Sequence, residues 1–220
     1  MQYHAVLFDL DYTLGDATGG ILTCFRHALF CMGYPDYPDD VLCRTIGYTL
    51  QDSFSQVTGE WAYEKREQFR TLYAQKADQI MAKALNLFPD ALPLLQYLKK
   101  EDCSMAVVST RPVARLHTML TIAGIRDFFL ALIGVDNIPY PKPDPYGILE
   151  GMRRCGATKE RTLYIGDTLL DAEAAARAGV DFIGVATGTT PKKAFCKFPV
   201  CLQADHLGDV LVWLRNGNHA

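Results

Sequence analysis

Five short apolar runs, separated by helix-like stretches, limit the folds open to this chain. They are "AVLFD" (5–9), "SMAVVS" (104–109), "LALIGV" (130–135), "TLYIG" (162–166) and "DFIGVA" (181–186). Each is nearly continuous and rich in Val, Ile and Leu, whereas a strand with one wet face would alternate. That pattern suits strands covered on both faces, as in a parallel sheet. Between them, "DALPLLQYLKKE" (90–101) has apolar residues at helical spacing, and "LLDAEAAARAG" (169–179) is Ala-rich and stops at Gly179. "PVARLHTMLTIAG" (112–124) opens on Pro and closes on Gly, the usual asymmetry of a helix. Strand alternating with helix predicts an α/β fold built on a doubly wound parallel, Rossmann-like sheet.

Residues 17–84 break the alternation. They hold no strong strand run, while "ILTCFRHALFCMG" (21–33) and "WAYEKREQFRTLYAQKADQIMAKAL" (61–85) read as amphipathic helices. The expected organisation is a core domain of residues 1–16 and 85–220, with a small helical domain inserted at 17–84. A chain of 220 residues has the length for this plan.

Composition excludes several classes of function. The net charge of −3 offers no basic excess for nucleic acid or an anionic membrane, and no apolar stretch is long enough to span a bilayer. The start, "MQYHAVLFDLD", has no basic segment ahead of a cleavable apolar one, so a cytoplasmic location is expected. Seven cysteines, an odd count without a CxxC pair, argue against a zinc or disulfide framework and read mostly as small apolar packers. The tail "NGNHA" is expected to fray.

The chemistry sits where the apolar runs stop. The first run ends in "DLDYT", which places Asp9 and Asp11 at period-two spacing beyond the carboxyl end of a strand, where open parallel sheets collect ligands. Two crowded carboxylates repel unless a cation shares their charge, and a hard oxygen-seeking ion such as Mg²⁺ suits them. "TLYIG" ends in "GDTLLD", which delivers Asp167 as a further metal ligand or as the cap of the Ala-rich helix, with Asp171 one turn later. "SMAVVS" ends in "STRP", where Ser109 and Thr110 offer hydroxyls and Pro112 opens a helix whose free N–H groups suit an anion. "PYPKPDP" (139–145) sets Lys142 among prolines, which stiffen the loop that carries the ammonium. Each feature alone also fits a bland reading: a solvated carboxylate, a helix cap or an exposed lysine.

In this order, the strand-end DxD, strand-end Ser, Pro-flanked Lys and strand-end GDxxxD resemble the four motifs of the haloacid dehalogenase superfamily. The resemblance runs from Tyr3 to about Gly188. It implies a Mg²⁺-dependent phosphatase acting through an aspartyl-phosphate on a small phosphorylated substrate. Asp9 matches the nucleophile and Asp11 the general acid/base. Ser109 and Lys142 match the groups that hold the transferred phosphoryl. Asp9, Asp167 and the carbonyl of Asp11 match the metal ligands, and Asp171 matches a carboxylate that positions the lysine. The dehalogenases themselves lack an Asp at the position matching Asp11.

Residues 17–84 match the family's helical cap. Within it "TIGYTLQDSF" (45–54) is similar to the G-x-x-L-x-x-S-F stretch of phosphoglycolate phosphatase-like members. Gly47, Tyr48 and Thr49 are therefore the cap's candidate substrate contacts, joined from the core by Thr110 and Arg111. Two departures stand out: Tyr12 replaces the usual Gly after the DxD, and Thr110-Arg111 replaces Asn-Lys. A phosphomutase like β-phosphoglucomutase, an inorganic pyrophosphatase of the same superfamily and a non-catalytic phosphoryl-binding module are the alternatives. The protein is expected to be a monomer or a homodimer.

Overall fold

A computed structural model describes residues 2–217. The expected fraying of the tail falls partly on residues 218–220, outside the described residues. The strands of the main sheet are β1 (Ala5–Phe8), β4 (Ser104–Val108), β5 (Ala131–Ile133), β6 (Thr162–Gly166), β7 (Asp181–Val185) and β8 (Leu202–Ala204). They lie in the order β5-β4-β1-β6-β7-β8 and every pairing is parallel. A parallel sheet must be covered on both faces, which explains the continuous apolar runs. Val6, Phe8, Val107 and Ile165 pack on one face, and Leu7, Ala106, Val108 and Tyr164 on the other.

The first face is covered by α5 (Ala91–Lys100), α6 (Val113–Ile122) and α9 (Leu207–Arg215), through Leu94, Leu98, Leu116, Leu120, Val210 and Leu214. The second is covered by α7 (Tyr146–Arg154) and α8 (Leu169–Ala178), through Ile148, Ala172 and Ala175. From β1 the chain moves outward through β4 to β5. It then crosses to β6 on the other side of β1. That reversal puts a ligand crevice at the carboxyl ends of β4, β1 and β6.

The helical insertion leaves and rejoins the core through a two-stranded antiparallel ribbon, β2 (Gly15–Asp16) with β3 (Asn86–Leu87). Between these strands lie α1 (Thr18–Cys31), α2 (Asp39–Cys43), α3 (Leu50–Thr58) and α4 (Tyr63–Ile80), followed by a 3₁₀ turn at Met81–Lys83. Periodicity pointed to α1 and α4. It did not point to α2 or α3, which are short and polar. Helices α1, α3 and α4 meet in an aromatic cluster: Phe69 lies 4.7 Å from Phe25 and 4.9 Å from Phe54, with Tyr34 edge-on to Phe54 at 5.3 Å. Aromatic contacts of this kind favour a defined arrangement of these three helices.

Cys24 and Cys103 are buried as expected of packers, but Cys31 and Cys196 are exposed and Cys43, Cys155 and Cys201 half-buried. All seven are free thiols. Among the described residues no helix is long and apolar enough to cross a membrane.

Candidate active site

The register of the sheet assembles the site. Phe8 stands opposite Val107 on β4 and Ile165 on β6. The residues just past these positions are therefore neighbours in space, although they come from three distant parts of the sequence. Asp9 N–H donates to the Ile165 carbonyl at 2.9 Å, extending the ladder by one residue and fixing where the carboxylate begins. Ser109, just beyond β4, is buried, and its Oγ accepts from the Arg111 N–H at 3.3 Å.

Lys142 reaches this crevice from the loop after β5. Its Nζ donates to Asp9 Oδ1 at 2.7 Å and to Asp171 Oδ1 at 2.6 Å. Asp171 is saturated by donors. Tyr164 OH reaches its Oδ1 at 2.7 Å, while Thr168 N–H and Oγ1 reach its Oδ2 at 3.0 and 2.5 Å. It therefore serves as the fixed anchor of the ammonium. Thr168, not Asp167, caps α8, and Asp171 closes a capping box with it. Asp167 is left to face the crevice, where Thr13 Oγ1 donates to its Oδ1 at 3.3 Å. Carboxylate oxygens of Asp9, Asp167 and Asp171 lie within 4.8 Å of one another.

Burial raises the Asp9 carboxyl to about 7, with Lys142 opposing the shift and Asp171 reinforcing it. Asp167 is held well above the ordinary carboxylate value, first by burial and then by Asp9 and Asp171. Burial also disfavours the Lys142 ammonium, but Asp171 and Asp9 outweigh that and hold its pKa well above the usual lysine value. Burial pushes Asp171 up too, yet Lys142 overrides it and its pKa is lowered. One buried cation thus faces three buried carboxylates. That excess of negative charge fits a divalent cation between Asp9 and Asp167.

Asp11 points elsewhere. Arg111 grips both of its oxygens, Nε to Oδ2 at 2.7 Å and Nη2 to Oδ1 at 2.8 Å. The two side chains are 11% and 9% exposed. The pair forms part of the wall of a cleft between the inserted helices and the core, with an empty volume of about 500 Å³ that includes solvent at its mouth. Gly47, Tyr48, Thr110 and Arg111 line this cleft, as do Phe25 and Tyr73. Thr49 instead caps α3, where its Oγ1 accepts from Asp52 N–H and donates to Asp52 Oδ2. The start of α6 is not left open either, because Val113 N–H donates to Asp136 Oδ1 at 2.9 Å. Tyr12 occupies the left-handed region at φ 60°, so the backbone keeps a conformation that glycine adopts freely.

Several contributing residues were not foreseen from sequence. Thr168 carried a usable signal, since Thr-x-x-Asp before a helix is a capping-box pattern. Tyr164 lay inside an apolar strand run, and Tyr73 on a helix placed over the site only by tertiary packing.

Residues 6–185 match the family model of haloacid dehalogenase-like hydrolases. The chain is 33% identical over 186 residues to a protein of Dickeya dadantii named probable phosphatase IndB, covering 83% of this chain and 81% of that one. It is 28% identical over 216 residues to the pyrophosphatase PpaX of Listeria welshimeri, covering 96% of each. The crystal structure of a Bacteroides fragilis protein described as a haloacid dehalogenase-like hydrolase superposes with a TM-score of 0.92. It is 41% identical, and the match covers 94% of this chain and 99% of that one.

Proposed function

The chain belongs to the haloacid dehalogenase-like hydrolase family, and on that basis we propose that it is a Mg²⁺-dependent phosphatase of small, phosphoglycolate-like phosphorylated metabolites. The observation that carries this reading is the Lys142 ammonium held 2.7 Å from Asp9 and 2.6 Å from Asp171. A phosphoryl dianion approaches a carboxylate nucleophile only where fixed positive charge offsets the repulsion.

In this reading an Asp9 oxygen attacks phosphorus and the bond to the ester oxygen breaks. The Asp11 carboxyl gives that oxygen its proton. Water then attacks the aspartyl-phosphate, passes a proton to the Asp11 carboxylate and releases inorganic phosphate with Asp9 restored. Ser109 and Lys142 hold the transferred phosphoryl, and Asp171 keeps the lysine aimed. Asp9, Asp167 and the Asp11 carbonyl would hold Mg²⁺, which when bound neutralises phosphoryl charge as a Lewis acid. Residues 17–84 form the cap over the core of 1–16 and 85–220. The cap keeps bulk water out of the crevice during phosphoryl transfer and presents Gly47 and Tyr48 to the leaving group. The protein works in the cytoplasm.

Phosphate release from p-nitrophenyl phosphate with and without Mg²⁺ tests the reading. Turnover should require the ion and vanish in Asp9→Asn, whose amide cannot form the acyl phosphate. Turnover that survives the substitution removes Asp9 from the reaction. Inorganic pyrophosphate is the second reading, favoured by the full-length likeness to a pyrophosphatase. A panel of phosphorylated substrates ranked by kcat/KM separates the two.

A further inference from the structure

The grip of Arg111 on Asp11 conflicts with the proton transfer that the phosphatase reading asks of Asp11. Both carboxylate oxygens accept from one guanidinium, at 2.7 and 2.8 Å. In that fork both Asp11 oxygens are turned to the guanidinium, and neither is presented to a leaving oxygen. The fork must therefore open during turnover.

The cleft beyond the pair favours one kind of opening. Its walls include Phe25, Ile46 and Leu50, so charges within it are poorly screened by water. It also receives Arg115, whose Nη2 is held at 2.6 Å by Asp78, a carboxylate that is 74% exposed and can turn to solvent. Tyr73, only 3% exposed, lines the same space, and its hydroxyl makes no hydrogen bond to another described residue. Two guanidiniums and an unengaged phenol thus border a cleft whose only lining carboxylate among the described residues is Asp11.

We propose, resting on the phosphatase reading, that Arg111 is a latch on Asp11 which opens for substrates bearing a second anionic group, carboxylate or phosphate, close to the ester oxygen. The second anion takes over the Arg111 fork in the cleft, with Arg115 and Tyr73 as further donors. Asp11 is then free to carry its proton to the leaving oxygen. Arg111 acts as a specificity-determining residue, because an ester without the second anion cannot compete for the guanidinium.

The test compares ethyl phosphate with phosphoglycolate, which replaces the methyl group by a carboxylate, and with pyrophosphate, whose second anion is a phosphate. All three are assayed with Mg²⁺ on the full chain. The wild type should favour at least one of the two anionic substrates over ethyl phosphate by roughly 100-fold in kcat/KM, and which one identifies the source of the anion. In Arg111→Gln the ratio should collapse to within about 3-fold, and Arg111→Lys should keep part of it, as a monodentate cation would. If Arg111→Gln does not fold, competitive inhibition of the wild type by glycolate but not by ethanol serves instead. Comparable kcat/KM for all three substrates, a ratio unchanged in Arg111→Gln, or equal effects of glycolate and ethanol would overturn the latch and leave the phosphatase reading standing. No phosphate from any of the three, nor from p-nitrophenyl phosphate, would sink both.

Discussion

A β-carbon placed on Gly188 would fall 2.0 Å from Asp167 Oδ2 and 3.1 Å from the β-carbon of Tyr12. Gly188 thus leaves the space into which the Asp167 carboxylate turns. In Gly188→Ala the carboxylate can rotate away more cheaply than the backbone can shift. The expected result is a Mg²⁺ affinity reduced about 10- to 100-fold, the range for a disturbed ligand environment, with little change in melting temperature. Magnesium titration beside a thermal melt checks both halves.

Asp171 anchors Lys142, the only cation among the described residues in an ion pair with Asp9. Asp171→Asn removes the charge that holds Lys142 and turns an amide N–H₂ toward either Lys142 or the Thr168 donors. Breaking a buried pair in this way costs about 3 to 5 kcal/mol, so the melting temperature should fall clearly. Turnover should drop by about 100-fold through kcat rather than KM, because the lysine loses its aim while the cleft is untouched. An unchanged kcat would show that Lys142 needs no anchor.

The metal-free protein should lose stability as pH rises through neutrality. Asp9 goes from an ordinary 3.8 to about 7 in the folded state, mainly through burial, and Asp167 is raised in the same direction for the same first cause. Between those values the folded chain binds more protons than the unfolded one, so stability falls with rising pH across that window. Asp171 acts in the opposite sense, since its lowered value adds stability that is lost only as pH falls below 3.8. Melting in EDTA should therefore decline from about pH 4.5 to about pH 7.5, and added Mg²⁺ should stabilise more at the upper end. A melting curve that climbs over this range would contradict the crowding of charge in the crevice.

Gly47 lies where the inserted helices approach the core at Thr168. Its φ is +106°, and a β-carbon there would lie 3.0 Å from Thr168 Cγ2. Gly47→Val should hold the helices away from the crevice at a backbone cost of about 1 to 3 kcal/mol. Loss of about 10-fold in kcat/KM, mostly in KM, is expected where a lid fails to close. Steady-state kinetics on a small substrate would show it, and an unaltered KM would mean that this approach does not gate the site.

Much of this was legible in the chain. The apolar runs are continuous because both faces of the sheet are covered, and that alone predicts parallel strands. The chemistry-bearing residues follow those runs because parallel strands present their carboxyl ends together. Asp9 and Asp167 follow from this logic before any contact is known, whereas Lys142 stands on a Pro-flanked loop and is singled out by the order of the motifs. Thr49 is a candidate contact because it lies with Gly47 and Tyr48 in the stretch similar to G-x-x-L-x-x-S-F, and its side chain caps α3 through Asp52. Asp167 was offered as a cap for α8, but Thr168, one residue on, has the shorter reach to the helix N–H groups.

Local pattern, acting through strand and helix periodicity, determined the sheet, helices α1, α4, α5, α6 and α8 and the order of the motifs. Partner choice lay outside it. That Arg111 closes on Asp11, that Tyr164 reaches Asp171 and that Tyr73 faces the cleft depend on separations of a few ångströms between side chains. Those separations arise only when register and helix docking are complete, and hydrogen bonds and ion pairs fade steeply beyond them.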